Sequence, residues 1–346
     1  MDIDDLRQQL RAAGARPRHE TLALRAWAQG LPLQAFARRA DSAFPARLKA
    51  ALPDIEARLA GLVRVSEEHP AADGSARLLL GLADGQAVEC VLLPRDGVCV
   101  STQVGCAVGC LFCMTGRAGL LRQLGSAEIV AQVALARARR PLRRVVFMGM
   151  GEPAHNLERV MEAIVLLGTE GGLGHKNLVF STVGDRRVFE KLPLAAVKPA
   201  LALSLHTTRA ELRAQLLPRA PRLSPEELVE RGEAYARATG YPIQYQWTLL
   251  EGINDGDDEV EGIARLLAGR YAVMNFIPYN RVDGLPYRRP TWERAADMAR
   301  RLQQHGVLAK LRRSAAQDVD GGCGQLRARA LPGAPAAGFS CSRSAR

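Results

Sequence analysis

Long apolar segments are absent from this sequence of 346 residues, and cysteines are few. No run of about 18 apolar residues occurs, so no segment is a candidate for a transmembrane helix. The first residues, MDIDDLRQQLRAAG, are acidic and then amphipathic, unlike the basic and then apolar start of a secretory signal segment. The sequence therefore predicts a cytosolic protein that does not associate with membranes.

The seven cysteines are an odd number, and three of them, Cys106, Cys110 and Cys113, fall within the segment VGCAVGCLFCMTG at residues 104–116. Disulfide frameworks are rare in the reducing cytosol, and an odd count does not suit one. The cluster instead favours metal ligation or thiol chemistry.

The formal charge of +11 is confined to the two ends of the chain. Residues 1–50 contain nine Lys and Arg against five Asp and Glu, residues 300–346 contain nine against two, and residues 51–299 are neutral. Basic ends suit a polyanionic partner such as RNA, because neutralised phosphates release their counterions. A solvated arginine-rich surface gives the same counts, so charge alone leaves both interpretations open.

The patterning divides the chain into four regions. Residues 1–60 contain short amphipathic helices (DIDDLRQQLRAAG, LALRAWAQG and LQAFARRA) and predict a small helical domain that is a candidate for RNA binding. Residues 61–98 predict a β-extension, in which Asp84 and Gly85 form the turn of a hairpin. Residues 99–313 form the core, and residues 314–346 form a C-terminal segment that ends in a disordered tail.

Six short apolar runs alternate with amphipathic helices in the core: GVCVST, RVVFMG, LVFST, ALALSL, YQWTLL and VMNFIP. One helix start is marked by Ser224 as the N-cap, Pro225 at the first helical position and Glu227 three residues after the cap. Six βα units in series predict an α/β fold with a parallel sheet, a partial (β/α)6 TIM-like barrel.

Reactive groups of such sheets gather beyond the carboxyl ends of the strands. Polar residues follow all six predicted strands, and we expect them to line one cavity. In chain order they are Cys106, Cys110 and Cys113, then residues 149–153 (GMGEP), Ser181 and Thr182, Ser204 and His206, Asn254 and Asp255, and Asn280.

The spacing Cys106-x3-Cys110-x2-Cys113 provides three thiolates on one loop. Zinc with a distant fourth ligand is one interpretation. A cubane iron–sulfur cluster with one open iron fits three ligands better, because a structural zinc site normally has four.

Several motifs in order carry a family resemblance: CVSTQVGC, whose last cysteine begins the CxxxCxxC motif after the first strand, then FMGMGEP, FSTVG, SLH, FIPYN and DVDGGCGQL. Together they resemble the radical S-adenosylmethionine (SAM) enzymes and, among these, the RlmN/Cfr family of RNA adenosine methyltransferases. The resemblance runs from residue 87 to residue 326. It implies a [4Fe–4S] cluster, two SAM molecules per turnover, ribosomal or transfer RNA as substrate, and a low-potential electron donor such as flavodoxin or ferredoxin. We expect a monomer.

The resemblance also implies roles for individual residues. Cys106, Cys110 and Cys113 match the cluster ligands. Cys323 matches the cysteine that receives a methyl group, Cys99 its thiol partner, and Glu89 the proton acceptor. The positions that match SAM contacts are Gly151, Glu152, Ser181, Ser204, Leu205, His206 and Asn280.

The implied mechanism answers a chemical difficulty, since carbon 2 of adenine has no lone pair with which to displace a methyl group from a sulfonium. The Cys323 thiolate can do so, being a strong nucleophile. In the family mechanism a radical generated from a second SAM activates that methyl group, which then adds to adenine. Attack by Cys99 would release the product and leave a Cys99–Cys323 disulfide, and Cys99 or Glu89 would remove the remaining proton.

Other interpretations of single residues stay open. Glu89 alternates with apolar neighbours on a strand and would ordinarily face solvent, His206 could simply close a strand, and Cys90 is expected in the core. Cys341 has no evident chemistry.

Two segments depart from the family pattern. GHKN at residues 174–177 replaces a basic run, and LPRAPRLSP at residues 217–225 replaces a PIN segment. Both are expected to touch RNA, so the target is less defined than the chemistry. Methylation at adenosine C8 or at another RNA site, or a non-catalytic iron–sulfur RNA-binding protein, are the alternatives.

Overall fold

The computed structural model describes residues 1–34, 44–117, 119–282, 284–312, 315 and 324–330. Cys323, Cys341 and the predicted disordered tail lie outside the described residues, as does most of the third predicted N-terminal helix. In the described part of the chain, no helix is long and apolar enough to cross a membrane.

The strands form one large mixed sheet and one small ribbon. Their bounds are β1 Val63–Pro70, β2 Ala76–Leu82, β3 Ala87–Leu93, β4 Gly97–Cys99, β5 Gln103–Gly105, β6 Leu120–Gln123, β7 Arg144–Phe147, β8 Leu178–Thr182, β9 Ala200–Ser204, β10 Ile243–Leu249, β11 Ala272–Pro278 and β12 Ala309–Leu311. The large sheet has the order β1-β2-β3-β4-β7-β8-β9-β10-β11-β12, and β5 pairs with β6 apart from it.

Helices connect the parallel strands and cover the sheet. Their bounds are α1 Ile3–Ala12, α2 Pro17–Ala28, α3 Ala46–Gly61, α4 Met114–Arg117, α5 Ser126–Arg139, α6 Leu157–Gly168, α7 Arg186–Lys191, α8 Ala210–Leu216, α9 Pro225–Thr239, α10 Asp257–Leu267, α11 Trp292–Gln304 and α12 Gln325–Ala330. Helix α9 begins at the predicted position, and the Ser224 side chain accepts a hydrogen bond from the Glu227 amide at 3.1 Å.

The parallel half of the sheet runs from β4 to β12 in chain order. Its strands are nearly continuous apolar runs because both of their faces are covered; four of the five residues of β9 are buried. The prediction of an α/β fold with a partial (β/α)6 barrel is confirmed. The sequence did not indicate β12, which extends the sheet, or the largely exposed edge strand β1.

The N-terminal helices share one hydrophobic core with the barrel, which includes Leu6 and Leu24. Polar contacts reinforce this packing. The Ile3 amide donates to the Ser126 hydroxyl at 2.8 Å, and the Arg137 guanidinium donates to the Ala28 carbonyl at 2.7 Å. Helices α1 and α2 are therefore held on α5 along the outer face of the sheet.

Candidate active site

The cysteine loop, residues 106–113, lies between the β5–β6 ribbon and α4. The Cys106 amide donates to the carbonyl of Gly119 at 3.0 Å, and the Cys113 amide donates to the carbonyl of Cys110 at 3.1 Å. From the far side, the Leu216 carbonyl accepts from the Leu111 amide at 3.0 Å. The loop is thus fixed by its own turn, by the ribbon and by the end of α8.

A cavity of about 140 Å³ opens beside this loop at the carboxyl ends of the parallel strands. Loops after four successive strands of the barrel, β4, β7, β8 and β9, contribute to it. Its lining consists of Cys106, Val108, Cys110, Cys113, Thr115, Phe147, Met148, Gly149, Gly151, Glu152, Pro153, Ser181, Val183, Ser204 and His206.

Burial disfavours the charged thiolate form of all three cysteines, and the charges of neighbouring groups add to this effect. Burial raises the pKa of Cys106 to about 12, and the Glu152 carboxylate and Cys113 add to this shift. Burial likewise raises the pKa of Cys110 and of Cys113. Three thiolates therefore need a bound cation, which an iron–sulfur cluster would provide.

The zinc interpretation requires ligands that converge on one ion. Within the described residues, no three His, Cys, Asp or Glu side chains are grouped as ligands of a single metal ion. In a cubane cluster each cysteine binds a different iron, so the sulfur atoms need not converge on one point.

The GMGEP loop after β7 approaches strand β5 of the small ribbon closely at Gly151. This residue has a φ of +106°, and a Cβ there would lie 2.6 Å from the Cβ of Gln103. The Gln103 side-chain oxygen accepts a hydrogen bond from the Glu152 amide at 2.7 Å. Glycine is required at position 151, and the hydrogen bond to Gln103 holds the backbone of Glu152 in place.

The Glu152 carboxylate is buried at the edge of the cavity. Its two oxygens accept hydrogen bonds from the amides of Ala154 at 3.1 Å and Val183 at 2.9 Å. Burial raises its pKa to about 6, although these hydrogen bonds oppose the shift. At neutral pH the group is mostly ionised and can hold a cationic group such as an ammonium or a sulfonium.

His206 follows β9 and presents a neutral imidazole. Its Nδ1 accepts from the Thr248 amide at 3.0 Å, so the ring proton lies on Nε2. Burial, with the nearby Arg213, lowers its pKa to about 3. The ring packs edge-on against Phe112, with centroids 5.0 Å apart. A neutral N–H donor is therefore available for a ligand acceptor.

Some predicted residues do not line the cavity. Leu205 is fully buried in the main core. The Asn280 side chain accepts from the Arg289 guanidinium at 3.0 Å. Asn254 lies beneath the site, and its side-chain amide donates to the carbonyl of His206 at 2.7 Å. Gly151, Glu152, Ser181, Ser204 and His206 do line the cavity with the three cysteines.

Arg213 is a buried cation of the site that the sequence analysis missed. Its guanidinium donates to the carbonyls of Val183 and of Ser204, the latter at 3.2 Å. Burial lowers its pKa to about 10, and the charges of Cys110 and Glu152 oppose that shift. It ties the ends of β8 and β9 together. An arginine on an amphipathic helix is ordinarily expected to face solvent, so the neighbouring sequence does not indicate that Arg213 is buried.

Glu89 is buried, contrary to the solvent-facing alternative. Its carboxylate pairs with the buried Arg77 at 3.2 Å and accepts from the Arg327 amide at 3.0 Å. Cys99 lies close enough to interact electrostatically with both Arg77 and Glu89. Burial raises the pKa of Cys99 to about 12, while the Met148 amide and Arg77 oppose this shift. Cys90 is fully buried in the core, as expected.

The segment that follows Cys323 docks beside the cysteine loop. A Cβ at Gly324 would lie 2.7 Å from the backbone nitrogen of Thr115, which is two residues after Cys113. The Gln325 side chain donates to the carbonyl of Arg281 at 2.9 Å. Together with the bond between Glu89 and Arg327, these contacts hold the start of α12 at the mouth of the site.

A partial (β/α)6 barrel with three cysteines on the loop after its first strand is the architecture of radical SAM enzymes. Residues 100–267 match the Radical SAM superfamily. That superfamily implies a [4Fe–4S] cluster and SAM, and the sulfur donors, buried carboxylate and neutral imidazole described above fit both.

Similar proteins indicate which kind of radical SAM enzyme this is. The chain is 72% identical to a probable RNA methyltransferase from Methylibium petroleiphilum, over 96% of this chain and 95% of that protein. It is 66% identical to one from Pseudomonas aeruginosa, over 96% and 97%. A radical SAM methyltransferase from Sphaerobacter thermophilus superimposes with a TM-score of 0.82 at 34% identity, covering 94% of this chain and 97% of the other. The chain belongs to this family of radical SAM methyltransferases, and it is an enzyme.

Proposed function

We propose that this enzyme methylates carbon 2 of an adenosine in ribosomal or transfer RNA. The names of its relatives support RNA as the substrate. The observation that carries the proposal is the docking of Gly324 against Thr115 beside the cysteine loop, because Cys323 is bonded to Gly324 and is the proposed methyl carrier.

Cys106, Cys110 and Cys113 would hold the cluster. Glu152 would bind a cationic group of SAM, and His206 Nε2–H would donate to one of its acceptors; Gly151, Ser181 and Ser204 complete the lining. When bound, the cluster supplies the electron that cleaves SAM to a radical able to remove hydrogen from a methyl group. Leu205 and Asn280, the other positions that match SAM contacts, would act from outside the cavity lining.

Cys323 would take a methyl group from one SAM, forming a sulfur–carbon bond as the sulfonium bond breaks. A second SAM would be consumed in activating that methyl group, giving two per turnover. After its carbon joins the adenine ring, the RNA is bound covalently to Cys323.

Cys99 would release the product. After the ring has lost its C2 proton and one electron, which the oxidised cluster would accept, the Cys99 sulfur attacks the sulfur of Cys323. The S–S bond forms as the S–CH2 bond breaks, and the carbon keeps that electron pair and takes up a proton, such as the one that Cys99 gives up, to become the methyl group on the base. The high pKa of Cys99 makes loss of its proton part of this step. Glu89, close to Cys99 and held by two donors, is the proposed acceptor for the proton leaving the ring. A thiol reductant would then restore both cysteines.

The alternative of methylation at adenosine C8 uses the same residues and differs only in how the base is oriented. The non-catalytic alternative is wrong, because the family is enzymatic. We further propose that the enzyme acts as a cytosolic monomer with a flavodoxin or ferredoxin as electron donor, and that its basic ends bind RNA.

The Cys99→Ala variant tests the mechanism. It should methylate Cys323 and attack adenosine but fail to release the product. The expected species is a covalent protein–RNA adduct, detected by mass spectrometry of the nuclease-trimmed peptide that contains Cys323. Cys323→Ala should form none, and Cys341→Ala should turn over normally.

Normal turnover by Cys99→Ala, or an adduct in Cys323→Ala, would contradict the assigned roles. Mass spectrometry of the trimmed nucleoside then distinguishes C2 from C8. Absence of any methylated nucleoside with the unaltered enzyme would refute an RNA substrate.

A further inference from the structure

Three exposed arginines lie on three separate segments next to the cysteine loop. They are Arg117 at the end of α4, Arg219 after α8 and Arg281 after β11. In the part of the chain that the structure describes, none of the three takes part in an ion pair or a side-chain hydrogen bond.

Arg219 lies directly on the cysteine loop. A Cβ at Gly109 would be 2.7 Å from its Nη2 atom and 3.2 Å from its Nε atom. Its backbone amide donates to the carbonyl of Val108 at 3.2 Å. The guanidinium therefore covers the turn between Cys106 and Cys110 and stays open to solvent.

The other two arginines lie where the remaining loops meet. A Cβ at Gly284 would be 3.5 Å from an Nη1 atom of Arg117. The carbonyl of Arg281 accepts from Gln325, while its side chain is exposed. Val282, which follows, packs in the same apolar cluster as Cys106 and Val108. The Arg219 guanidinium thus lies on the cysteine loop, Arg117 is four residues after Cys113, and Arg281 is on the segment that packs against the same apolar cluster.

Arginines on the outer helices have a different environment. Arg294 and Arg301 both contact Asp257, and Arg231 and Arg186 both contact Glu227. Ion pairs of this kind cancel much of the charge that the helices present. Among the residues that the structure describes, no carboxylate forms an ion pair with Arg117, Arg219 or Arg281, although residues 51–299 are neutral as a whole. Uncompensated cations concentrated at one opening attract a polyanion to that opening.

We propose that Arg117, Arg219 and Arg281 bind phosphates of the RNA strand on either side of the target nucleotide. The inference rests on the proposed function, and it locates the substrate on the barrel itself rather than only on the basic ends. A base must leave its stack to reach a buried reactive group, so single-stranded RNA is the form that fits. Arginine contacts to phosphate fix the register of the strand without reading its sequence.

The two segments that depart from the family pattern separate in space. Residues 217–225 contribute Arg219 to this surface. Residues 174–177 lie before β8, where the His175 ring accepts from the Lys198 amide at 3.4 Å, at the amino ends of the strands and away from the cavity. The expectation that both segments touch RNA stays a prediction, and only the first segment, residues 217–225, belongs to the proposed surface.

The test compares two triple variants that remove equal charge. One carries Arg117→Gln, Arg219→Gln and Arg281→Gln. The control carries Arg95→Gln, Arg265→Gln and Arg270→Gln, three exposed arginines that lie toward the amino ends of the strands. The probe is a labelled RNA hairpin with an adenosine-containing loop, titrated by fluorescence anisotropy at several salt concentrations.

The first variant should bind the hairpin more weakly. The slope of its log affinity against log salt concentration should be smaller in magnitude by about two to three. The control should keep the unaltered slope. Iron content after reconstitution and the melting temperature verify that the cysteine loop is intact.

Equal slopes for the two triple variants would overturn the inference, because RNA binding would then depend on the net charge of the protein and not on the position of these three arginines. If the unaltered enzyme methylates RNA but the first triple variant binds the hairpin with unaltered affinity and salt dependence, the proposed phosphate-binding surface is wrong and the proposed function stands. If the first variant loses binding but no RNA is ever methylated, the proposed function is wrong and the surface stands.

Discussion

His206 and Gly151 adopt backbone conformations that most residues avoid, and both line the cavity. His206 has a φ of +64°, in the left-handed region that side chains with a Cβ rarely occupy. Asn254 holds its carbonyl and the Thr248 amide holds its ring. Unusual backbone fixed by several partners is typical of active sites, where it aims a side chain.

The neutral state of His206 should make stability depend on pH. Its folded pKa of about 3 lies below the unfolded value of about 6.5. Below pH 6.5 the unfolded chain takes up a proton that the folded chain refuses, so stability is lost as pH falls. The loss should reach about 2 kcal/mol at pH 5.

His206→Asn removes this group while keeping an acceptor for the Thr248 amide and a residue type that tolerates positive φ. Urea unfolding at pH 7 and pH 5, on protein without a reconstituted cluster, should show a smaller loss for the variant. The exposed His305→Asn should behave like the unaltered protein. Equal losses in all three would contradict the buried neutral state.

Gly151→Ala tests the close approach of the GMGEP loop. Its Cβ would lie 2.6 Å from that of Gln103, whereas Gly306 has a positive φ with nothing within 4 Å. Gly306→Ala should therefore cost only the left-handed backbone, about 1–2 kcal/mol. Gly151→Ala should cost more and should also weaken SAM binding, measured by calorimetry. Similar costs at both sites would show that the loop can move.

At the scale of elements, helix α12 depends on a buried ion pair. Arg77 and Glu89 connect β2 and β3, and Glu89 in turn receives the Arg327 amide. The C-terminal segment is therefore anchored by side chains some 240 residues earlier in the sequence.

Arg77→Leu should destabilise the protein by about 3–5 kcal/mol, because it leaves the Glu89 carboxylate buried and unpaired. The double variant Arg77→Leu with Glu89→Leu should lose much less than the sum of the single changes. Arg143 and Asp96 form an exposed pair 3.6 Å apart, and Arg143→Leu should change stability by about 0–1 kcal/mol. Denaturant unfolding gives all four values.

Trypsin sensitivity provides a second measurement of the same anchor. Arg77→Leu should speed cleavage at Arg327 and Arg329 relative to Arg143→Leu. A strictly additive cycle, with unaltered cleavage, would mean that the ion pair does not hold α12.

At the scale of the whole molecule, the N-terminal helices are part of the fold and cannot simply be removed. Leu24 is fully buried in the core shared with the barrel. Deleting residues 1–60 to test RNA binding would expose that core, and any loss of affinity would be uninformative. Charge substitutions on exposed positions, such as Arg18→Gln and Arg25→Gln, are the suitable test of the basic N-terminus.

Leu24→Ala should cost about 2–5 kcal/mol in the unfolding of the entire chain. Leu31, which is 41% exposed, is the matched control and should cost little. A single cooperative transition shifted to lower urea is the expected result. A separate early transition would show instead that residues 1–60 unfold as an independent domain.

The sequence by itself determined the cysteine motif and the alternation of helices with six of the parallel strands, from β4 to β11, but not the last strand, β12. Both depend on local information: apolar runs such as ALALSL, the cap at Ser224, and three thiols within eight residues. The side of the sheet on which Cys106, Glu152 and His206 gather also followed, since carboxyl ends of parallel strands meet at one edge.

Only the tertiary structure decided which polar residues turn inward. Glu89 and Arg213 read as surface residues from their neighbours, and both are buried because distant partners, Arg77 and the carbonyls of Val183 and Ser204, satisfy their charges. Residues 174–177 and 217–225 looked equivalent in sequence, yet they lie at opposite ends of the strands. Pairing between positions far apart in the chain leaves no periodic signal, because each partner is recognised only after the sheet has brought the two together.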